Sequence, residues 1–174
     1  MKRVRTAISS AGILLLAAIS FAAFAESGQE AQVEVSMEDF QALEGDGWEG
    51  SLNYLNYGSD KRSTIPVKMA IEISGKRSLQ IAIRYPGEEE YNNSEKIKIS
   101  RNGKRVDGYD LVARELQPDG VLLLTTLGSG RDDDRKADIQ MVYFISANEF
   151  RIEKNVRFDQ DDGFFNRNVY QFSR

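Results

Sequence analysis

Apolar and polar residues alternate with a period of two along most of the chain. Ile65, Val67, Met69, Ile71 and Ile73 fall on one face, with Lys68 and Glu72 on the other. Leu79, Ile81, Ile83 and Tyr85 repeat the pattern against Gln80, Ala82 and Arg84, and Ile97 and Ile99 alternate with Lys96, Lys98 and Ser100. Ile139, Met141, Tyr143 and Ile145 form a further set, and Phe150, Ile152, Val156 and Phe158 oppose Arg151, Glu153, Asn155 and Arg157. Side chains of an extended chain point to alternate faces, so this period predicts antiparallel strands with one buried and one solvated side. Turn signals separate the runs: Ser74-Gly75-Lys76, Asn102-Gly103, Pro118-Asp119-Gly120, Ser146-Ala147-Asn148 and Asp161-Asp162-Gly163. Longer loops are predicted over 58–63, 86–94 and 128–136. The sum is about nine strands at roughly 8–12-residue spacing, joined in sequence. The predicted class is therefore all-β, an antiparallel up-and-down meander barrel with one short N-terminal helix. The run Val121-Leu122-Leu123-Leu124 does not alternate; burial on both faces and cover by the helix both fit it.

The helix is predicted over 37–43. Ser36 stands at its start with Asp39 three residues on, the spacing of a capping box. Met37, Phe40 and Leu43 recur at helical spacing, and Gly45 and Gly47 end the pattern. The first strand then opens on Asp46-Gly47-Trp48-Glu49-Gly50-Ser51-Leu52-Asn53-Tyr54, where Trp48, Gly50, Leu52 and Tyr54 share a face. Trp48 is the single tryptophan.

A short helical turn followed by a glycine–tryptophan first strand resembles the lipocalin-like (calycin) barrels. The resemblance covers 36–174 and rests on Asp46-Gly47-Trp48 after Phe40 and Leu43. The spacing departs from the strict pattern, because Gly47 adjoins the tryptophan directly. The resemblance implies an interior that holds a small ligand. It also implies a basic residue of the last strand packed on Trp48, with Arg167 first and Arg174 second. An arginine over an indole is independently sound cation–π chemistry.

The first residues change what the barrel is for. Lys2, Arg3 and Arg5 precede an apolar run over 11–24, which ends in Ala23-Phe24-Ala25 and turns polar at Glu26. This is the pattern of a secretory signal peptide over 1–25, and the run is shorter than the ~20 residues needed to span a bilayer. A flexible segment over 26–35 and a barrel domain over 36–174 are expected to follow, in the periplasm or outside the cell. Removing 25 residues from 174 leaves 149, enough for one domain with its own core. The chain has no cysteine, so neither lipid attachment at a cysteine nor a disulfide is available. The signal carries three basic and no acidic residues, so its loss moves the formal charge from −4 to −7, which disfavours a nucleic-acid partner.

Histidine is absent as well. Triads that need it and zinc sites built on it are excluded, which leaves carboxylates, Tyr, Lys and Ser and disfavours catalysis. No cofactor and no metal site is indicated: Asp159-Gln160-Asp161-Asp162-Gly163 fails the calcium-loop spacing and reads as an acidic turn. Asp132-Asp133-Asp134, flanked by Arg131 and Arg135, reads as a solvated loop, and Glu88-Glu89-Glu90 as a third acidic loop. The ligand-lining candidates are Trp48, Tyr54, Tyr85, Tyr143 and Arg167. The aromatics among them also suit plain core packing. The expected partner is a small apolar or amphipathic molecule held inside the barrel. The alternative is an envelope interaction or inhibitor-like module that works through its acidic loops. An outer-membrane barrel is opposed by Lys96 and Lys98 on a strand with only two isoleucines.

Overall fold

The computed structural model describes residues 33–174, so the expected signal peptide and 26–32 lie outside the described residues. Ten strands form one antiparallel sheet: β1 (Gly45–Asn56), β2 (Lys61–Gly75), β3 (Ser78–Arg84), β4 (Asn93–Lys98), β5 (Arg105–Val106), β6 (Tyr109–Leu116), β7 (Leu122–Asp132), β8 (Arg135–Ile145), β9 (Glu149–Phe158) and β10 (Phe165–Ser173). Each strand lies beside its neighbour in sequence, and β1 pairs with β10, which curls the meander into the expected barrel. One seam is left unsealed, where β4 and β5 meet through a single bridge between Ile99 and Val106. The tenth strand is β5. Two residues are too few to generate an alternating pattern, which is why the sequence indicates about nine.

The alternation lands as expected. Val67, Met69, Ile71, Leu79, Ile81, Ile83, Tyr143, Ile145 and Phe150 are buried in one core, while Glu49, Lys68, Lys96 and Lys98 face outward. The Val121–Leu124 run splits in the same way, with Leu122 and Leu124 inside and Leu123 half-buried on the outer face. No helix among the described residues is long and apolar enough to cross a membrane.

Two expectations are corrected. The stretch 128–136 is not a long loop: β7 runs to Asp132, β8 starts at Arg135, and only Asp133 and Asp134 turn, at φ 49° and 57°. Asp tolerates that left-handed backbone better than most residues. Gly128 and Gly130 mark a close approach, not a loop, because the Tyr109 ring lies where a Cβ of Gly128 would go. The second correction concerns Val35, assigned from sequence to a flexible segment. It is buried, and its N–H donates to Gly103 O at 2.9 Å.

The N-terminal helix spans Met37–Leu43 and is a 3₁₀ helix. Ser36 Oγ accepts from the Glu38 N–H at 3.2 Å, and the Asp39 carboxylate accepts from the Ser36 N–H at 2.9 Å. Phe40 and Leu43 are thereby driven into one end of the barrel. At Gly50, in β1, a Cβ would collide with the Gln171 carbonyl and lie 2.9 Å from Phe172 Cα. The lack of a side chain there lets β10 close against β1 just above Trp48.

Candidate functional site

The two ends of the barrel differ in kind. The helix end is filled. Trp48 is fully buried, and its Nε1–H donates to Leu43 O at 3.0 Å, which accounts for the indole's one polar group. The arginine over its ring is Arg174, 4.3 Å from the centroid, and not Arg167. Arg174 also donates to Ala42 O at 2.7 Å and Glu44 O at 3.0 Å, so it ties the chain terminus, the helix and the tryptophan together. Arg167 is excluded from this role by register: Asn168 pairs with Tyr54, far up β1 from Trp48. Tyr143 is 3% exposed and meets Phe40 edge-on, with ring centroids 6.5 Å apart. Burial pushes its phenol well above the ordinary range. Trp48 and Tyr143 thus both sit in the packed core, and neither lines the hollow at the opposite end.

The opposite end is open. β2 outruns β3: its pairing with β3 begins only at Lys68, so the stretch from Lys61 to Val67 is bonded on one side alone. Pro66, which has no N–H to give, sits in that half. The 85–92 segment and this half of β2 together border an open cavity of about 370 Å³. Leu52, Ile65, Tyr54, Tyr85 and Tyr91 form its apolar and aromatic walls, and Arg167 brings a charge to it. Tyr54, Tyr85 and Arg167, three of the five sequence candidates, therefore share one cavity.

Arg167 reaches that position through a β-bulge. Asn166 pairs with Asn155 and Asn168 with Lys154, which leaves Arg167 as the extra residue. A bulge re-aims a side chain, here toward the interior. The guanidinium packs over the Tyr57 ring at 4.3 Å and donates to Leu55 O. Its Nε lies 3.5 Å from Asp132 Oδ2, is sealed from solvent and has no hydrogen-bond partner.

Asp132 is the residue that sequence reasoning misplaced. It is buried, not solvated: its carboxylate accepts from Lys154 Nζ at 2.5 Å and from the Tyr57 hydroxyl. Burial pushes its carboxyl up, but the bonds from Lys154 and Tyr57 and the charges of Lys154 and Arg167 outweigh this and hold it below the ordinary carboxylate value. The inner mouth thus holds two cations and one anion. A signal for this was present. Lys154 stands at an inward position between Ile152 and Val156, and a charge on the apolar face of a strand needs a partner. The correction also weakens the acidic-loop alternative, because Asp132 is spent inside the barrel and Asp133 pairs with Arg135 at 3.4 Å.

The Tyr85 and Tyr170 hydroxyls lie 2.9 Å apart, which ties the cavity wall at Tyr85 to β10. Burial, and then the bond to Tyr85, push the Tyr170 phenol above its ordinary range. Glu88 stands at the rim as the one carboxylate in the lining.

No protein-family model and no curated protein sequence matches the chain. Among solved structures it is similar to a point mutant of the fluorescent protein UnaG, with 12% identity over 78% of this chain and 97% of that one, and a TM-score of 0.40. Identity this low and superposition this loose say nothing about ligand or activity.

Proposed function

We propose that this chain is an exported binding protein that holds a small, partly apolar molecule with an acidic group in the mouth of its barrel. Arg167 carries the reading. Its side chain is brought by a bulge to a cavity walled by Leu52, Ile65 and tyrosines, and with Lys154 and Asp132 it makes a cluster of two cations and one anion. The cavity volume falls in the range of roughly 300–1,000 Å³ common to small-molecule sites, and an apolar wall with few polar groups is their usual composition. Tyr54 and Tyr85 add hydroxyls to the lining that can orient the acidic end.

Dodecanoate is expected to displace the fluorescent anion 8-anilinonaphthalene-1-sulfonate, and dodecanol to do so at least tenfold more weakly. A hydrogen bond to a charged group contributes about 1.5–3 kcal/mol, so Arg167→Gln should weaken dodecanoate roughly ten- to hundredfold and leave dodecanol near its wild-type value. Circular dichroism checks that the variant is folded. Equal losses for acid and alcohol, or no saturable binding of either, would refute the assignment. Because Trp48 lies in the filled end, its emission should not report binding.

Export rests on residues 1–25, with their basic start, apolar run and Ala23-Phe24-Ala25 ending. Mass spectrometry of the protein from an expressing bacterium should find a chain that begins at Glu26 in the fraction released by osmotic shock. An intact N-terminus in the cytoplasm would remove export from the proposal.

A further inference from the structure

A groove larger than the mouth cavity, about 590 Å³, lies on the outside of the barrel at its helix end, beside the β4–β5 seam. Six of its ten lining residues are basic. Lys76 and Arg77 come from the β2–β3 turn, Lys96 and Lys98 from the outward face of β4, and Arg101 and Arg105 from the segment that closes the seam. No aspartate or glutamate lines it. Arg105 pairs with Asp110 at 2.6 Å, but Lys76, Arg77, Lys96, Lys98 and Arg101 have no ion pair among the described residues. The fold fixes their spacing. Lys96 and Lys98 are two residues apart on one strand face, about 7 Å. Ser78 pairs with Lys98, and Ile99 N–H donates to Arg77 O at 2.9 Å, so the turn is held against the end of β4.

Lysines on an exposed strand edge commonly serve to block pairing with another chain. That explains Lys96 and Lys98. It does not explain Lys76 and Arg77 in a turn or Arg101 beyond the strand, all converging on the same hollow. Nor does overall composition, since the chain is net acidic. Five unpaired cations around one concavity repel each other, and a multivalent anion would relieve that repulsion. One phosphate carries at most about two charges and would leave most of them unmatched.

We infer that this groove binds a compound with two or more phosphate groups, gripped by Lys96, Lys98 and Arg101 with Lys76 and Arg77 across the hollow. Lysine supplies the point charges and arginine the paired donors that suit phosphate oxygens. The inference is independent of the mouth cavity, which shares no lining residue with the groove.

Isothermal titration with tripolyphosphate should give one site per chain, at least tenfold tighter than inorganic phosphate and weakened by added salt. The triple substitution Lys96→Gln, Lys98→Gln, Arg101→Gln should raise the dissociation constant roughly tenfold or more, at the few-fold per contact typical of exposed charges. Arg84→Gln, outside the groove, should change nothing. Sedimentation with vesicles that carry a bisphosphorylated headgroup, against vesicles of singly charged phosphatidylglycerol, then separates the sources. Selective sedimentation assigns a lipid headgroup, and tripolyphosphate binding without it assigns a soluble ligand. Either result upholds the site. Equal affinity for phosphate, tripolyphosphate and polyglutamate would overturn it, as would wild-type affinity in the triple variant. A single-stranded oligonucleotide that binds more tightly than tripolyphosphate would also overturn it.

Discussion

Trp48→Ala is expected to lower the unfolding free energy by about 3–5 kcal/mol, the range for removing a large aromatic from a packed core. The site gives three reasons to expect little relief by collapse. The indole is fully buried and lies on β1, whose Gly50 already sits against β10 without room to shift. Its Nε1–H is the partner of Leu43 O, at the end of the helix that fills this end of the barrel. Arg174 rests on its face while bonded to Ala42 and Glu44, so loss of the ring also slackens the terminus. For a domain of this size the change corresponds to a fall of roughly 10–15 °C in Tm. Urea unfolding followed by circular dichroism measures it. Trp48→Phe, which keeps most of the apolar volume and loses the N–H, should cost about 1–2 kcal/mol. A loss below 1 kcal/mol in the alanine variant would mean that the filled end does not depend on its tryptophan.

This end was largely legible in the sequence, for physical reasons. The helix announces itself through the three-residue recurrence of Met37, Phe40 and Leu43 and the strands through a period of two, and Ser36 with Asp39 fixes where the helix starts. Trp48, Phe40 and Leu43 then have only one apolar place to go. Two things escaped the pattern. Strand β5 is shorter than any period, and Gly128 and Gly130 look like a loop until the Tyr109 ring is seen lying on them. Which arginine covers Trp48 escaped as well. Arg167 lies on β10 and Arg174 just past its end, and the choice depends on the β1–β10 register, which no local signal carries. The mouth was half legible: Tyr54 and Tyr85 lie on inward faces by alternation. Arg167 points inward only because of a bulge, and bulges arise from pairing across strands. Asp132 was hidden by composition, since three aspartates between arginines look like solvent-exposed charge. The strand parity that turns only the first of them inward becomes visible once β7 is known to reach it.

That buried aspartate should matter most after Trp48. Asp132→Asn is expected to destabilise the protein by about 3–5 kcal/mol at neutral pH, because it leaves Lys154 and Arg167 facing the interior with no counter-charge. Their side chains are 24% and 21% exposed, against 8% for Asp132, so solvent cannot fully take over. Adding Lys154→Met to the variant should recover part of the loss, with a coupling of at least about 1 kcal/mol, as expected for members of one charge network. The pH dependence has a definite sign. The Asp132 carboxyl is held below its ordinary value in the folded protein, so its contribution is fully present above about pH 4 and is lost as pH falls through the folded value. Wild type and Asp132→Asn should therefore differ in urea midpoint at pH 7, and the difference should shrink as pH falls below the ordinary carboxylate range; a constant difference would remove the charge-based account. The same change bears on binding in the opposite direction. Without the carboxylate, Arg167 and Lys154 lose their competitor for an acidic ligand, so Asp132→Asn should fall in stability while dodecanoate binds more tightly. A residue that served only to hold the barrel together would lower both, and the two measurements on one variant separate an anchor from a built-in stand-in for the ligand's acid group.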